Sequence, residues 1–187
     1  MAGQPGQRRM TTSLSVDIRP WTEGDLATLL AMNNASVPAV SGLNASELQR
    51  LLEQSSPTLV AVVNSQAVGF VECLGPGLEY TSENYRWFSA RYPSFAYVDR
   101  VVVAEHHRGQ RVGQALYEAL DHRAPADVPV ILCEVNLDPP NPGSLRFHAR
   151  LGFEEVGREV HGAKLVSLLA RQRGWQGVMR FHSGCQS

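Results

Sequence analysis

Apolar positions along the chain recur either in short β-type runs or at helical spacing, and polar or Gly/Pro clusters separate the segments. Leu14, Val16 and Ile18 alternate with polar neighbours as far as Arg19, which predicts a first strand. Past Pro20, Thr22 stands where an N-cap belongs, ahead of Leu26, Leu29 and Leu30 on one helical face. Asn33, Asn34 and Pro38 end that helix. Asn44 with Glu47 three residues on has the form of a capping box, and Leu48, Leu51 and Leu52 give the second helix its buried side. Residues 58–63 and 67–74 read as two strands, with Asn64, Ser65 and Gln66 as a tight hairpin between them. Gly75-Pro76-Gly77 stops the second strand. Residues 78–93 form a polar, aromatic excursion holding Tyr80, Tyr85, Trp87, Phe88 and Tyr92. It either covers something or builds a satellite core cluster.

The stretch 94–121 organises the rest. Phe95-Ala96-Tyr97-Val98, the pair Asp99-Arg100 and then Val101-Val102-Val103-Ala104 predict a strand. Arg108-Gly109-Gln110-Arg111-Val112-Gly113 follows as a loop, and Val112, Ala115, Leu116, Ala119 and Leu120 recur with a helical period. A helix that begins directly after such a loop turns its unpaired N–H groups and the positive end of its dipole into it. Together with small residues, Arg108 and Arg111, this is an anion site suited to a pyrophosphate. Arg111 fits there without strain if it is right-handed; a left-handed conformation would cost about 1–2 kcal/mol.

Downstream, residues 130–135 are almost wholly apolar, as in a strand buried on both faces. Three prolines make 136–142 a rigid turn, Ser144 caps a short helix reaching Leu151, and Gly152 ends it. Residues 153–157 and 164–169 are further strands. The sum is about seven strands and four helices, mostly antiparallel with one parallel crossover: an α+β domain of three layers.

Composition narrows the picture only slightly. The 187 residues carry 43% hydrophobic and 19% charged side chains, and 17 basic against 18 acidic groups leave a net charge of −1. Neither nucleic acid nor an anionic membrane is indicated as the main partner. Cys73, Cys133 and Cys185 have neither disulfide-framework nor metal-ligand spacing, so no metal is expected and a reducing cytoplasm is the simplest setting. Residues 1–12 read as a flexible tail, 13–171 as one domain and 172–187 as a C-terminal tail. No GxxxxGK[ST] string occurs, which argues against a P-loop nucleotide site.

Two motifs carry a resemblance. Arg108-x-x-x-x-Gly113 after Val101-Val102-Val103 resembles the acetyl-CoA loop of the GNAT acyltransferases, with Arg111 standing where the family usually has a glycine. Asn141-Pro-Gly-Ser144-Leu-Arg-Phe147-His148-Ala-Arg-Leu151-Gly152-Phe153 is similar to the family's second segment, with His148 in the usual tyrosine position. The resemblance spans about residues 58–171.

It implies a GNAT-like three-layer α/β/α fold and direct transfer of the acetyl group of acetyl-CoA to a small-molecule or protein amine. An acyl-CoA sensor that has lost catalysis is the alternative. By the same resemblance Val101, Val102, Val103, Arg108, Gly109, Gln110, Arg111, Val112, Gly113 and Asn141 hold the CoA. The backbone at Val101 and Val103 pairs with the pantetheine arm. His148 would protonate the leaving thiolate, its ordinary pKa of about 6.5 making it the stronger acid at neutral pH. Glu72, then Asp99, are the first candidates for a general base, and Glu134 also lies on a strand bordering the acyl site. Asn33, Asn34, Tyr85 and Trp87 would meet the acceptor. Many such enzymes are dimers, so a homodimer is compatible with the reading.

Overall fold

A computed structural model describes residues 15–174 of the chain. Leu14 of the expected opening strand, both termini and Cys185 lie outside them. Seven strands form one sheet in the order β1-β2-β3-β4-β5-β7-β6. They are β1 Asp17–Pro20, β2 Leu59–Val63, β3 Gln66–Leu74, β4 Ala96–Val103, β5 Val130–Asp138, β6 Glu154–His161 and β7 Lys164–Gln172. Five α-helices accompany it: α1 Leu26–Asn34, α2 Ala45–Gln54, α3 Glu83–Ser89, α4 Val112–Arg123 and α5 Pro142–Arg150. Every strand pair is antiparallel except β4–β5.

Local chemistry explains the boundaries. Asn44 Oδ1 accepts the Glu47 N–H at 3.0 Å and the Glu47 carboxylate accepts the Asn44 N–H at 2.8 Å, which is the reciprocal capping box that starts α2. The β2–β3 turn has only two residues, Asn64 and Ser65, at φ 48° and 63°, so Gln66 already belongs to β3. The α5 cap is Asn141 rather than Ser144: its Oδ1 accepts the Ser144 N–H at 3.1 Å, and Pro142 begins the helix where no donor is needed. Ahead of α1, Glu23–Asp25 form a 3-10 turn. Asp25 there accepts the Thr22 N–H at 2.8 Å and pairs with Arg19 at 2.7 Å.

Alternation along the strands divides the core between two faces. Leu59, Ala61, Val71, Cys73 and Val98 pack with Leu116, Tyr117 and Leu120 of α4. Val60, Phe70 and Val102 pack on the other face with Leu29, Leu48 and Leu52 of α1 and α2. The aromatic excursion is itself structured: Ser82 caps α3, and Tyr85 and Phe88 sink against Phe95, Tyr97 and Leu132. Burying such a ring contributes about 1.5–3 kcal/mol. That cluster makes α3 the fifth helix.

Register sets up everything that follows. Glu72 faces Arg100 and Cys73 faces Val98, so Asp99 is an extra residue in β4, a bulge that bends the strand. The parallel β4–β5 pairing covers only Ala96–Ile131, Tyr97–Leu132 and Val98–Cys133. Beyond Val98 the two strands part.

Candidate functional site

Past that parting point β4 has a free edge. The Ala104 N–H donates to Val68 O at 2.8 Å, toward β3, so by strand alternation Val101 and Val103 aim their N–H and C=O groups away from β3, into the gap. Val103 O takes the Arg108 Nε–H at 3.1 Å. A groove of about 920 Å³ opens there, lined by Val101, Val102, Val103, Arg108, Gly109, Arg111, Val112, Gly113 and Asn141 among others. All the expected CoA residues border it except Gln110, whose amide turns back to His106 O at 2.8 Å.

The start of α4 points at this groove. Arg111 is its N-cap, at φ 63° and ψ 10°. The residue in the glycine position thus adopts the left-handed conformation, contrary to the right-handed one that would have spared it strain, and costs about 1–2 kcal/mol for a non-glycine side chain. In return Val112 and Gly113, at a helix start whose N–H groups have no partner within the helix, border the groove together with Arg108 and Arg111. Gly113 is required by crowding: a Cβ there would stand 2.9 Å from the Phe147 ring. A diphosphate with an extended arm fits these features: donors and cations at the helix end, then a strand edge that β5 has left, able to accept the arm as an added strand.

A second cavity, of about 360 Å³, adjoins the groove and shares Ala39, Val40, Val101, Asn141 and Ser144 with it. Its walls carry Tyr80, Asp99, Arg100, Glu134 and His148. Asp99 is committed within it: Arg100 Nη2 lies 2.6 Å from one carboxylate oxygen and the Tyr80 hydroxyl donates to the other at 2.6 Å. Glu134 is different. Its Oε2 accepts the Tyr97 hydroxyl at 2.8 Å. Loss of solvent, with Asp99 adding negative charge, pushes its carboxyl up to about 8.

Several expected residues stand elsewhere. Glu72, the first choice for a base, is fully buried behind the strand and lines neither cavity. Burial and the nearby Asp99 raise its carboxyl well above the usual range, and Oε1 meets the Ser55 hydroxyl, which itself bonds Leu51 O at 2.6 Å. Glu72 is a core acid whose burial favours the protonated form. Asn33 is also fully buried: it donates to Asn34 Oδ1 and Ser41 O at 3.0 Å and accepts Arg100 Nη1 at 2.9 Å. Asn34 pins Leu43 through that residue's N–H and C=O. Tyr85 spends its hydroxyl on Gly75 O and the Leu78 N–H, while Trp87 lies against Gly157 and beneath the Arg91 guanidinium. None of these four lines a cavity; their neighbours Ala39, Val40, Ser41, Ser82 and Asn84 do.

His148 does reach the cavity, though not as a proton donor. Its Nδ1 is 2.9 Å from Ser144 O, which can only accept, so Nδ1 carries the hydrogen and Nε2 is an acceptor for the Tyr117 hydroxyl at 2.9 Å. Burial chiefly, with the Arg171 charge, lowers its pKa to about 4. The imidazole is neutral at pH 7, the reverse of the acid expected from the motif. Among the cavity residues that the sequence does not mark are Tyr117, which has the spacing of a core residue of α4, and Cys133, which reads as part of an apolar run. Burial pushes the Cys133 thiol well up, so it stays protonated and a poor nucleophile.

Comparison with known proteins agrees with this geometry. The acetyltransferase (GNAT) family model matches residues 27–153. NAA60 of Arabidopsis thaliana, solved with a bisubstrate analogue, superposes with a TM-score of 0.68 at 18% identity, covering 84% of this chain and 98% of that one. The ribosomal-protein-alanine N-acetyltransferase of Brucella melitensis gives 0.64 at 24% identity, over 83% and 98%. The yncA protein of Salmonella typhimurium, solved with its cofactor acetyl-CoA, gives 0.63 at 17% identity, over 87% and 96%. No match was found among curated protein sequences.

Proposed function

The chain belongs to the acetyltransferase (GNAT) family, and we propose that it transfers the acetyl group of acetyl-CoA directly to an amine. The observation that carries this reading is the parting of β4 and β5 after Val98–Cys133, with an anion-binding helix start on one side and a carboxyl-bearing cavity on the other. The diphosphate would rest on the N–H groups at the start of α4 and on Arg108 and Arg111, and the pantetheine arm would follow the Val101–Val103 edge. The backbone N–H groups of that edge would hold the thioester carbonyl and the oxyanion that forms from it.

In this reading Glu134 is the general base. Its carboxyl, raised to about 8, matches an amine arriving as ammonium far better than an ordinary carboxylate would. One proton passes from the ammonium to Glu134, the free amine attacks the carbonyl carbon, the C–N bond forms and the C–S bond breaks. Cys133, with its thiol kept protonated, does not carry the acetyl group.

The experiment is thiol release from acetyl-CoA with a panel of amines: polyamines, aminoglycosides, amino acids and short peptides with free N-termini, the last because two structures of similar fold bear the name of ribosomal-protein-alanine N-acetyltransferases. At least one amine should raise release above the rate with water. Acetyl-CoA binding with no amine-dependent release would identify a sensor of acyl-CoA.

A further inference from the structure

The polar network around Tyr117 has no part in the steps above. We propose that Tyr117 is the hydrogen-bond donor, and then the proton donor, to the departing CoA thiolate, and that His148 is the positioning residue that aims it. The inference rests on the acetyl-transfer reading and assigns its missing acid.

Ser144 O fixes the hydrogen of His148 on Nδ1, leaving the Nε2 lone pair toward the Tyr117 hydroxyl. His148 therefore orients the phenol but has no N–H of its own to give. The phenol ring is wedged among Phe147, His148 and Phe153, with centroids 5.9, 5.6 and 5.4 Å away, and the Arg171 guanidinium lies 5.7 Å from it. It cannot swing aside. Its place is also apt: Tyr117 lines the small cavity together with Val98, Cys133 and Ser144, where the β4–β5 pairing ends. An acyl arm running down the open β4 edge from Val103 toward Val98 ends at this spot.

Other donors there are less suited. Asn141 is held at the start of α5, where its Oδ1 accepts the Ser144 N–H, and Ser144 Oγ lies 3.2 Å from His148 Nδ1. As negative charge builds on sulfur, the thiolate becomes a stronger acceptor than the neutral imidazole and takes over the phenol hydrogen. The balance closes within the cavity. The sulfur gains the Tyr117 proton as the C–S bond breaks, and the phenolate takes the remaining surplus proton from the newly acylated nitrogen. Tyr117 ends as it began. The net reaction releases one proton, through Glu134, to solvent.

The test needs no acceptor. CoA, the free-thiol product, is titrated on the protein and the ultraviolet absorbance of its thiolate is followed, while calorimetry measures its binding. In the wild type the bound thiol should titrate about one pH unit below free CoA, because a donor stabilises its charged form. Tyr117→Phe should return it to the free value with CoA affinity changed less than about twofold, a loss of one hydrogen bond that the bound thiol makes only when charged. His148→Phe should give a partial return, and His148→Gln, whose carbonyl can accept from the phenol, should restore the wild-type value. Equal titration in wild type and Tyr117→Phe, with CoA bound in both, overturns the assignment and leaves the acetyl-CoA reading standing. Absence of CoA binding by the wild type overturns both. Should Tyr117→Phe fail to fold, a wild-type bound thiol no more acidic than free CoA overturns it equally.

Discussion

The Tyr97 hydroxyl lies 2.8 Å from Glu134 Oε2; Tyr97 stands on β4 inside the last stretch of β4–β5 pairing and Glu134 on β5 one residue past its end. One carboxylate oxygen is thereby held from the core side while the group faces the cavity. Its carboxyl is raised to about 8 by burial and by Asp99, the range that the base proposed here needs to match an ammonium group.

Glu134→Gln should therefore lower kcat by about 10²–10⁴-fold with little change in acetyl-CoA affinity. The wild-type rate should climb as pH passes about 8, where Glu134 loses its proton, and level off above it. The Gln variant should lack that inflection. Steady-state kinetics from pH 6 to pH 10, at about one-unit steps, reads both outcomes.

Arg111 sets stability against binding. Arg111→Gly removes a left-handed non-glycine residue but gives the unfolded chain more freedom, so a net gain of up to about 1 kcal/mol is expected by chemical denaturation. The same change removes a cation from the groove, and acetyl-CoA affinity should fall several-fold, more so at low salt. Strain retained at a ligand site in this way is a common arrangement.

Two cavity groups make stability depend on pH in opposite senses. His148 has a folded pKa of about 4, below its ordinary 6.5; the stability tied to it is complete above 6.5 and is lost as pH falls through 4. For a side chain this buried the loss is on the order of 3 kcal/mol. Glu134 has a raised folded pKa, so its contribution is complete below its ordinary 4.5 and is lost as pH rises through about 8. Denaturation curves should show His148→Gln flattened relative to wild type on the acid side and Glu134→Gln flattened on the alkaline side.

Cys133→Ala should keep turnover within about threefold, and mass spectrometry of wild type incubated with acetyl-CoA should find no acetylated Cys133. An acetyl thioester on this residue would contradict direct transfer.

How far the sequence carries is clearest at particular residues. The strand–loop–helix around Arg108–Gly113, the α2 capping box and the succession of seven strands along the chain all rest on local rules, and the structure has them; their order in the sheet does not follow from those rules. Helix α3 was hidden because its apolar residues, Tyr85, Trp87 and Phe88, are aromatic and sit in a short segment between turns; only packing against Phe95 and Tyr97 shows them as one face. Asn33 looked like a loop residue available to an acceptor, yet it is the buried partner of Arg100, a pairing across 67 residues that no local pattern displays. Glu72 and Glu134 are both single acids in apolar strands. Which of them faces the cavity depends on the bulge at Asp99 and on where the β4–β5 pairing stops. Tyr117 fits the apolar period of α4 and only the tertiary contact with His148 distinguishes it.

The central claim is that the gap between β4 and β5 receives acetyl-CoA. Calorimetry of acetyl-CoA binding to the wild type and to Gly113→Trp tests it most directly, because a Cβ at 113 already meets the Phe147 ring at 2.9 Å and an indole must displace that ring and enter the groove. Binding of micromolar order is expected for the wild type, with its loss in a variant whose thermal unfolding remains cooperative. No binding by the wild type, or equal binding by the folded variant, would contradict it.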